Sequence, residues 1–154
     1  MITLREITQD NLDDVLALRV GDDQTAYVST TAHALAQAYV SPKTAFPFAV
    51  CADETIVGFL MLGYYEARNQ YTVWRFLIDR RYQGRGYGKA ALKLGIDFLQ
   101  ERFGVKEIFL GVSAGNEAAK RLYRSAGFRP TGAIDGTMEE MRLECSVFTK
   151  DISL

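Results

Sequence analysis

Histidine is almost missing from this chain, with one residue, His33, in 154. A multi-histidine metal centre and a Ser-His-Asp hydrolase both ask for imidazoles that one such residue in a helix-like stretch does not supply, so no metal is expected. Cysteine is nearly as scarce. Cys51 and Cys145 lie far apart and form no Cys-x-x-Cys pair, so neither a disulfide framework nor a zinc ribbon is signalled, and two buried free thiols are the expectation. Long hydrophobic runs are lacking as well: the longest strongly apolar stretch, residues 56–62, falls far short of a membrane span, and residues 1–7 carry no leader-like apolar core. The expectation is a cytoplasmic protein with no membrane partner. Nor is there a basic excess, since 18 Lys+Arg face 19 Asp+Glu for a net charge of −1, which argues against nucleic acid as a partner. Linkers rich in Pro, Gly or Ser, charge blocks and internal repeats are missing too.

What remains is the composition of an ordinary folded protein, 48% hydrophobic and 24% charged, of a size for one domain over residues 1–154. Its charge is unevenly spread. Residues 1–70 hold 4 basic against 9 acidic side chains and residues 71–154 hold 14 against 10, so the halves carry −5 and +4. Chance scatter of surface charge explains this as well as two differently charged ligands do.

Residues 3–7 alternate as a strand, and residues 8–11 supply caps before Leu12, Val15, Leu16 and Leu18, a helical spacing. Ala34, Leu35 and Ala38 suggest a second helix to about Val40, ended by Ser41-Pro42. Residues 46–52 and 55–65 are β-rich runs around the polar turn Asp53-Glu54, and residues 71–78 form another strand. From Gly86 to Phe103, Tyr87, Ala91, Leu94 and Phe98 recur at i, i+4, i+7 and i+11, an amphipathic helix. A strand at 106–112, a helix at 116–126 closed by Gly127, and strands at 128–133 and 137–145 around Asp135-Gly136 follow. Residues 146–154 read as a further short strand or a loose tail. The alternation describes an α/β (α+β) sandwich on a mixed sheet, with strand 71–78 parallel to strand 106–112 through the long helix.

The sharpest local signal is Gln83-Gly84-Arg85-Gly86-Tyr87-Gly88, placed after a strand and before a helix. Glycines there free backbone N–H groups for an anion at the positive helix end, and Arg80, Arg81, Arg85 and Lys89 add positive charge. A glycine-rich turn with solvated basic neighbours accounts for the same letters. A Walker A loop fails at Gln83 and Ala90, and a dinucleotide loop, formally met by Gly86, Gly88 and Ala91, lacks an acid at the end of the next strand. The remaining pattern, Gln-x-x-Gly-x-Gly, resembles the acyl-CoA loop of the GNAT N-acetyltransferases. Asn116-Glu117-Ala118-Ala119-Lys120-Arg121-Leu122-Tyr123, ending in Gly127-Phe128, is similar to a second motif of that superfamily. Helical spacing sends Asn116, Lys120 and Tyr123 to one face and turns Leu122 and Ala126 toward the sheet. Taken singly, Tyr123 reads equally as a core tyrosine and Asn116 as a helix cap.

The resemblance implies a GNAT fold, a mostly antiparallel sheet splayed at the acetyl-CoA site with helices on both faces. It implies that acetyl-CoA lies along the backbone of Phe76, Leu77 and Ile78, with its pyrophosphate on the loop from Gly84 to Lys89 (Gly84, Arg85, Gly86, Tyr87, Gly88, Lys89) after Gln83. Asn116 and Lys120 would hold the cofactor, and Tyr123 would protonate the leaving thiolate. An aliphatic amine is neutral about once in 2,500 molecules at pH 7, a cost of roughly 4.6 kcal/mol, so a base or a water path is needed. The carboxylate that many relatives place on the cofactor strand is replaced here by Trp74-Arg75, which leaves Glu66 and Asp79 as candidates. The stretches Asp22-Asp23-Gln24-Thr25-Ala26-Tyr27-Val28 and Trp74-Arg75-Phe76-Leu77-Ile78-Asp79 resemble bacterial diamine and spermine/spermidine N-acetyltransferases. A polyamine needs separated carboxylates and aromatic faces, and Asp22, Asp23, Tyr27, Tyr64, Tyr65, Glu66 and Trp74 offer them. The expectation is direct acetyl transfer to a small polycationic amine. The alternatives are a protein N-terminus or lysine as acceptor, in a groove beside residues 132–141, and a non-catalytic acyl-CoA sensor. A homodimer through the C-terminal strands, joined by Val147-Phe148, is also open.

Overall fold

Seven strands form one sheet in the order β1-β2-β3-β4-β5-β7-β6 in the computed structural model, which describes residues 1–21 and 30–145. They are β1 (Ile2–Arg5), β2 (Ala45–Ala52), β3 (Thr55–Tyr65), β4 (Gln70–Ile78), β5 (Glu107–Ser113), β6 (Arg129–Asp135) and β7 (Met138–Glu144). Only β4 and β5 run parallel, joined across the sheet by the long helix α3 (Tyr87–Phe103). The other helices are α1 (Leu12–Leu16), α2 (Thr31–Val40) and α4 (Glu117–Ser125). The elements read from the sequence are all present, apart from the tail at 146–154, which lies outside the described residues. The first strand is shorter than expected, because Glu6 and Ile7 leave the pairing after Arg5 meets Ala49.

Burial on both faces makes the central strands almost continuously apolar. Beneath α3 and α4, Leu60, Leu62, Leu92, Leu99, Ile108 and Phe128 form one cluster, each almost fully withdrawn from solvent. Under α1 and α2, Val15, Ala34, Ala49, Phe59 and Met61 form another. Each large apolar side chain so buried contributes about 1.5–3 kcal/mol. At Gly95, α3 lies so near the sheet that a Cβ would stand 2.8 Å from Leu60 Cδ2.

Two irregularities of β4 build the site. In its register with β3, Val73 pairs with Leu62 and Arg75 with Met61, so Trp74 is an extra residue and the strand bulges. Side-chain parity shifts there: Val73, Phe76 and Ile78 face the α3 side, while Trp74 and Leu77 face α1 and α2. On the other edge, the parallel pairing stops after Tyr71, Thr72 and Val73 have met Ile108, Phe109 and Leu110, which leaves Phe76 to Ile78 without a neighbour strand on that side, as the expected splay requires. Beyond Val73 the two strands part. Twisted strands diverge once the bulge redirects one of them, and the gap opens toward their C-terminal ends.

Candidate active site

The gap between β4 and β5 is a cavity of about 780 Å³. One wall is Val73 to Ile78, the other is Gly111, Val112 and Ser113, and the start of α3 and one side of α4 close its ends. The loop before α3 owes its course to two backbone features. Gly84 and Gly86 have φ of +77° and +80°, torsions that L side chains rarely adopt, and a Cβ at either would meet nothing within 4 Å. Open space above glycines at a helix start suits an anion placed against backbone amides. Gly86 is the N-cap of α3 and offers no side-chain cap, which leaves the amides of the first turn without a side-chain acceptor from that position.

Gln83 anchors this loop, its Nε2 donating to the carbonyl of Ile78 at 2.9 Å. Gln83, Gly84, Gly86, Tyr87, Gly88 and Lys89 all line the cavity, as do Phe76, Leu77, Ile78 and Asn116. Arg85 does not. Its guanidinium lies 5.7 Å from the Tyr82 ring centroid, outside the walls. Gly88 serves packing too, since a Cβ there would stand 3.1 Å from Leu122.

Helix α4 corrects the reading of its faces. Asn116 is the N-cap, its side-chain oxygen accepting from the Ala119 amide at 3.2 Å, and it also borders the cavity, so both readings of it hold together. Tyr123 is buried in the core cluster, edge-on to Phe128 at 6.0 Å, and still reaches the cavity. Burial pushes its phenol up to about 12. Lys120, assigned to the cofactor from its spacing, turns away: its ammonium meets Glu139 at 2.7 Å and the carbonyl of Ala114 at 2.6 Å. The long stem carries the charge to β7 although its Cα shares the face, and the hydrogen bond it donates to Glu139 raises its pKa. Leu122 packs against the core cluster as expected and also lines the cavity against Gly88.

Asp79 is corrected as a candidate base. It is 1% exposed at the end of β4. Its Oδ1 accepts from the Arg81 amide and Arg81 Nε at 2.9 Å each, and its Oδ2 accepts from the Arg19 amide at 3.0 Å. Burial would raise this carboxyl, but the hydrogen bonds from Arg81 and Arg19 outweigh it and hold it below the ordinary value. A carboxylate so held is a poor proton acceptor.

A second cavity, about 850 Å³, adjoins the first. Val73, Trp74, Arg75, Gly111 and Met138 line both. Its walls include Tyr64 and Tyr65 at the end of β3, Glu66 just after it, and Asp135, Glu139 and Glu140 from the β6–β7 hairpin. Tyr64 donates to Asn69 Oδ1 at 2.5 Å. Glu66 opens a 3₁₀ turn (Glu66–Arg68), is exposed, and borders only the second cavity. Asp22, Asp23 and Tyr27 lie outside the described residues, as does Val147-Phe148. That the acidic hairpin residues border this cavity was not legible in the sequence, because nothing local in it says that β7 inserts beside β5.

Two adjoining cavities, one with an anion-ready glycine loop and an unpaired strand edge, the other acidic and aromatic, define a two-substrate transferase. The chain belongs to the GNAT acetyltransferase family, whose profile matches residues 12–128. It is 34% identical over 153 residues to the spermine/spermidine N(1)-acetyltransferase of Bacillus subtilis (strain 168), covering 93% of this chain and 97% of that protein. The spermidine N-acetyltransferase of Vibrio cholerae, solved with CoA and spermine, superposes with a TM-score of 0.73 at 19% identity over 93% of this chain and 95% of its own. The PaiA N-acetyltransferase of Thermoplasma acidophilum, solved with coenzyme A, gives 0.71 at 18% over 94% and 99%. Among the described residues no helix is long and apolar enough to cross a membrane.

Proposed function

We propose that this acetyltransferase moves the acetyl group of acetyl-CoA to a primary amine of a small polycation, a diamine or a polyamine such as spermidine or spermine, in the cytoplasm. The observation that carries the reading is the adjoining pair of cavities, with the two walls that meet at Trp74, Arg75, Gly111 and Met138. Likeness over nearly full length to a spermine/spermidine acetyltransferase supports the acceptor.

The first cavity fits the donor. Its loop glycines leave room for a pyrophosphate, and the β4 edge past Val73 offers backbone groups to an extended amide-bearing arm. When bound, acetyl-CoA supplies an activated acetyl carbon and a sulfur leaving group. Gln83, Gly84, Gly86 to Lys89, Phe76 to Ile78 and Asn116 bind and orient it; the apolar walls, Leu122 among them, exclude water. Tyr123 holds a proton at its phenol oxygen, protonated throughout the neutral range, and gives it to the departing sulfur. On the acceptor side, Trp74 and Tyr64 offer aromatic faces to methylenes and cations, and Glu66 takes a distal ammonium. Asp22, Asp23 and Tyr27 are assigned to the same acceptor from the sequence alone.

The test is thiol release from acetyl-CoA with spermidine, spermine and putrescine against a lysine peptide, an arylamine and aspartate at equal concentration. Saturable release with the polyamines is expected. Release with the peptide or aspartate alone overturns the acceptor, and CoA binding without turnover on any amine favours the sensor alternative.

A further inference from the structure

Arg75 sits in the wall shared by the two cavities, at the β4 bulge. Its Nη1 donates to the Trp74 carbonyl at 3.0 Å, and its guanidinium carbon lies 6.0 Å from the Trp74 ring centroid. Its Nε is buried with no hydrogen-bond partner. Among the described residues no carboxylate pairs with it, and burial lowers its pKa without an opposing charge to raise it. An unpaired guanidinium in a half-buried wall is costly to hold. The chain holds one where acceptor nitrogen and acetyl carbon have to meet.

The surrounding charges lie apart from it. In the second cavity, Glu66 and Arg68 follow β3, Asp135 is on β6, and Glu139 and Glu140 are on β7, where they pair with Lys120 at 2.7 Å and Arg68 at 3.6 Å. Tyr64 and Tyr65 complete its titratable lining. The first cavity is lined by Tyr82, Tyr87, Lys89 and Tyr123 and by no carboxylate among the described residues.

We propose that Arg75 makes the acceptor amine nucleophilic: an ammonium reaching the junction faces a like charge that water screens poorly, which expels one proton to solvent without a carboxylate base. A second cation depresses an amine's pKa in this way at other active sites. The neutral nitrogen then bonds to the acetyl carbon as the carbon–sulfur bond breaks, and the second N–H proton leaves to solvent as Tyr123 protonates the sulfur and is itself reprotonated. One ammonium and one thioester thus give one amide, one thiol and one released proton. Acidic groups farther along the second cavity hold the distal ammoniums and keep affinity despite the repulsion. The inference rests on the amine-acetyltransferase reading of the site.

The test is kcat against pH, at saturating substrates, for wild type, Arg75→Gln and Arg75→Lys, with whichever amine the wild type accepts. In Arg75→Gln the low-pH limb moves up by about one unit, lowering the rate at pH 7 about tenfold, and the curves converge at high pH. Arg75→Lys keeps the wild-type limb. An equal loss at every pH, or an unmoved limb, overturns the proposal. A wild type that acetylates no amine overturns the reading of the site and this inference with it, so the two failures are distinguishable. The ligand-free Arg75→Met protein, which loses an unpaired buried charge, melts a few degrees higher. A lower melting temperature would make Arg75 a structural tie and overturn the proposal independently of catalysis.

Discussion

Tyr123 does two jobs with one side chain. Its ring packs in the core against Phe128, and the residue also lines the first cavity. Burial keeps the phenol protonated to about 12, so it is a donor at neutral pH and not a base. Tyr123→Phe retains the ring and removes the proton. Because a thiolate leaves tolerably unaided, kcat should drop about 10- to 100-fold with donor binding unchanged, as steady-state kinetics and CoA titration will read. The sign of the linked stability follows from the shift. Above about pH 10 the unfolded chain releases the phenolic proton that the folded chain keeps, so stability falls as pH rises toward about 12. Thermal melts across that window should show a decline that is smaller in the phenylalanine variant.

At the scale of elements, Asp79 decides where β4 ends and how the loop leaves it. Its carboxylate caps the 3₁₀ turn (Arg80–Tyr82) and accepts from the backbone that follows α1, while the Arg80 amide donates to the Arg19 carbonyl at 2.7 Å. Together with Gln83 on Ile78, this fixes the strand end, the loop and the N-terminal segment as one unit. Asp79→Asn keeps the shape but not the charge-assisted acceptor, and should cost about 1.5–3 kcal/mol in urea unfolding. Because the folded pKa is depressed, the wild-type contribution is complete above the unfolded carboxylate value and is lost as pH falls through the folded one. The asparagine variant should therefore lose less stability on acidification than the wild type.

For the whole molecule, the uneven charge of the two halves resolves into two cavities only in part. The acidic half provides Glu66, but Asp135, Glu139 and Glu140 come from the half with a positive balance, brought to the acceptor side because β7 lies between β5 and β6. The basic half contributes Lys89 to the donor cavity. A polycation held by partly solvated carboxylates is screened by salt. Raising ionic strength from about 0.05 M to 0.5 M should increase the KM of a polyamine several-fold while leaving kcat nearly constant. A KM indifferent to salt would place its recognition in the apolar and aromatic walls.

The local motifs were legible because their meaning is carried by neighbours in sequence. Positive φ at Gly84 and Gly86, the reach of Gln83 back to Ile78, and the cap at Asn116 all act within a few residues, so the local pattern, together with its resemblance to a known family, pointed to the loop and the helix. The sequence by itself determined the order of strands and helices, the two apolar faces and the donor loop, since periodicity and turn chemistry are short-range. Only the tertiary structure decided that Lys120 serves Glu139, that Asp79 is structural, and that Arg75 stands between two cavities with no carboxylate partner among the described residues. The first depends on β7 lying beside β5, the second on the packing that brings the Arg19 amide to a carboxylate already held by its neighbour Arg81, and the third on the extra residue at Trp74; long-range pairing and packing settle such placement.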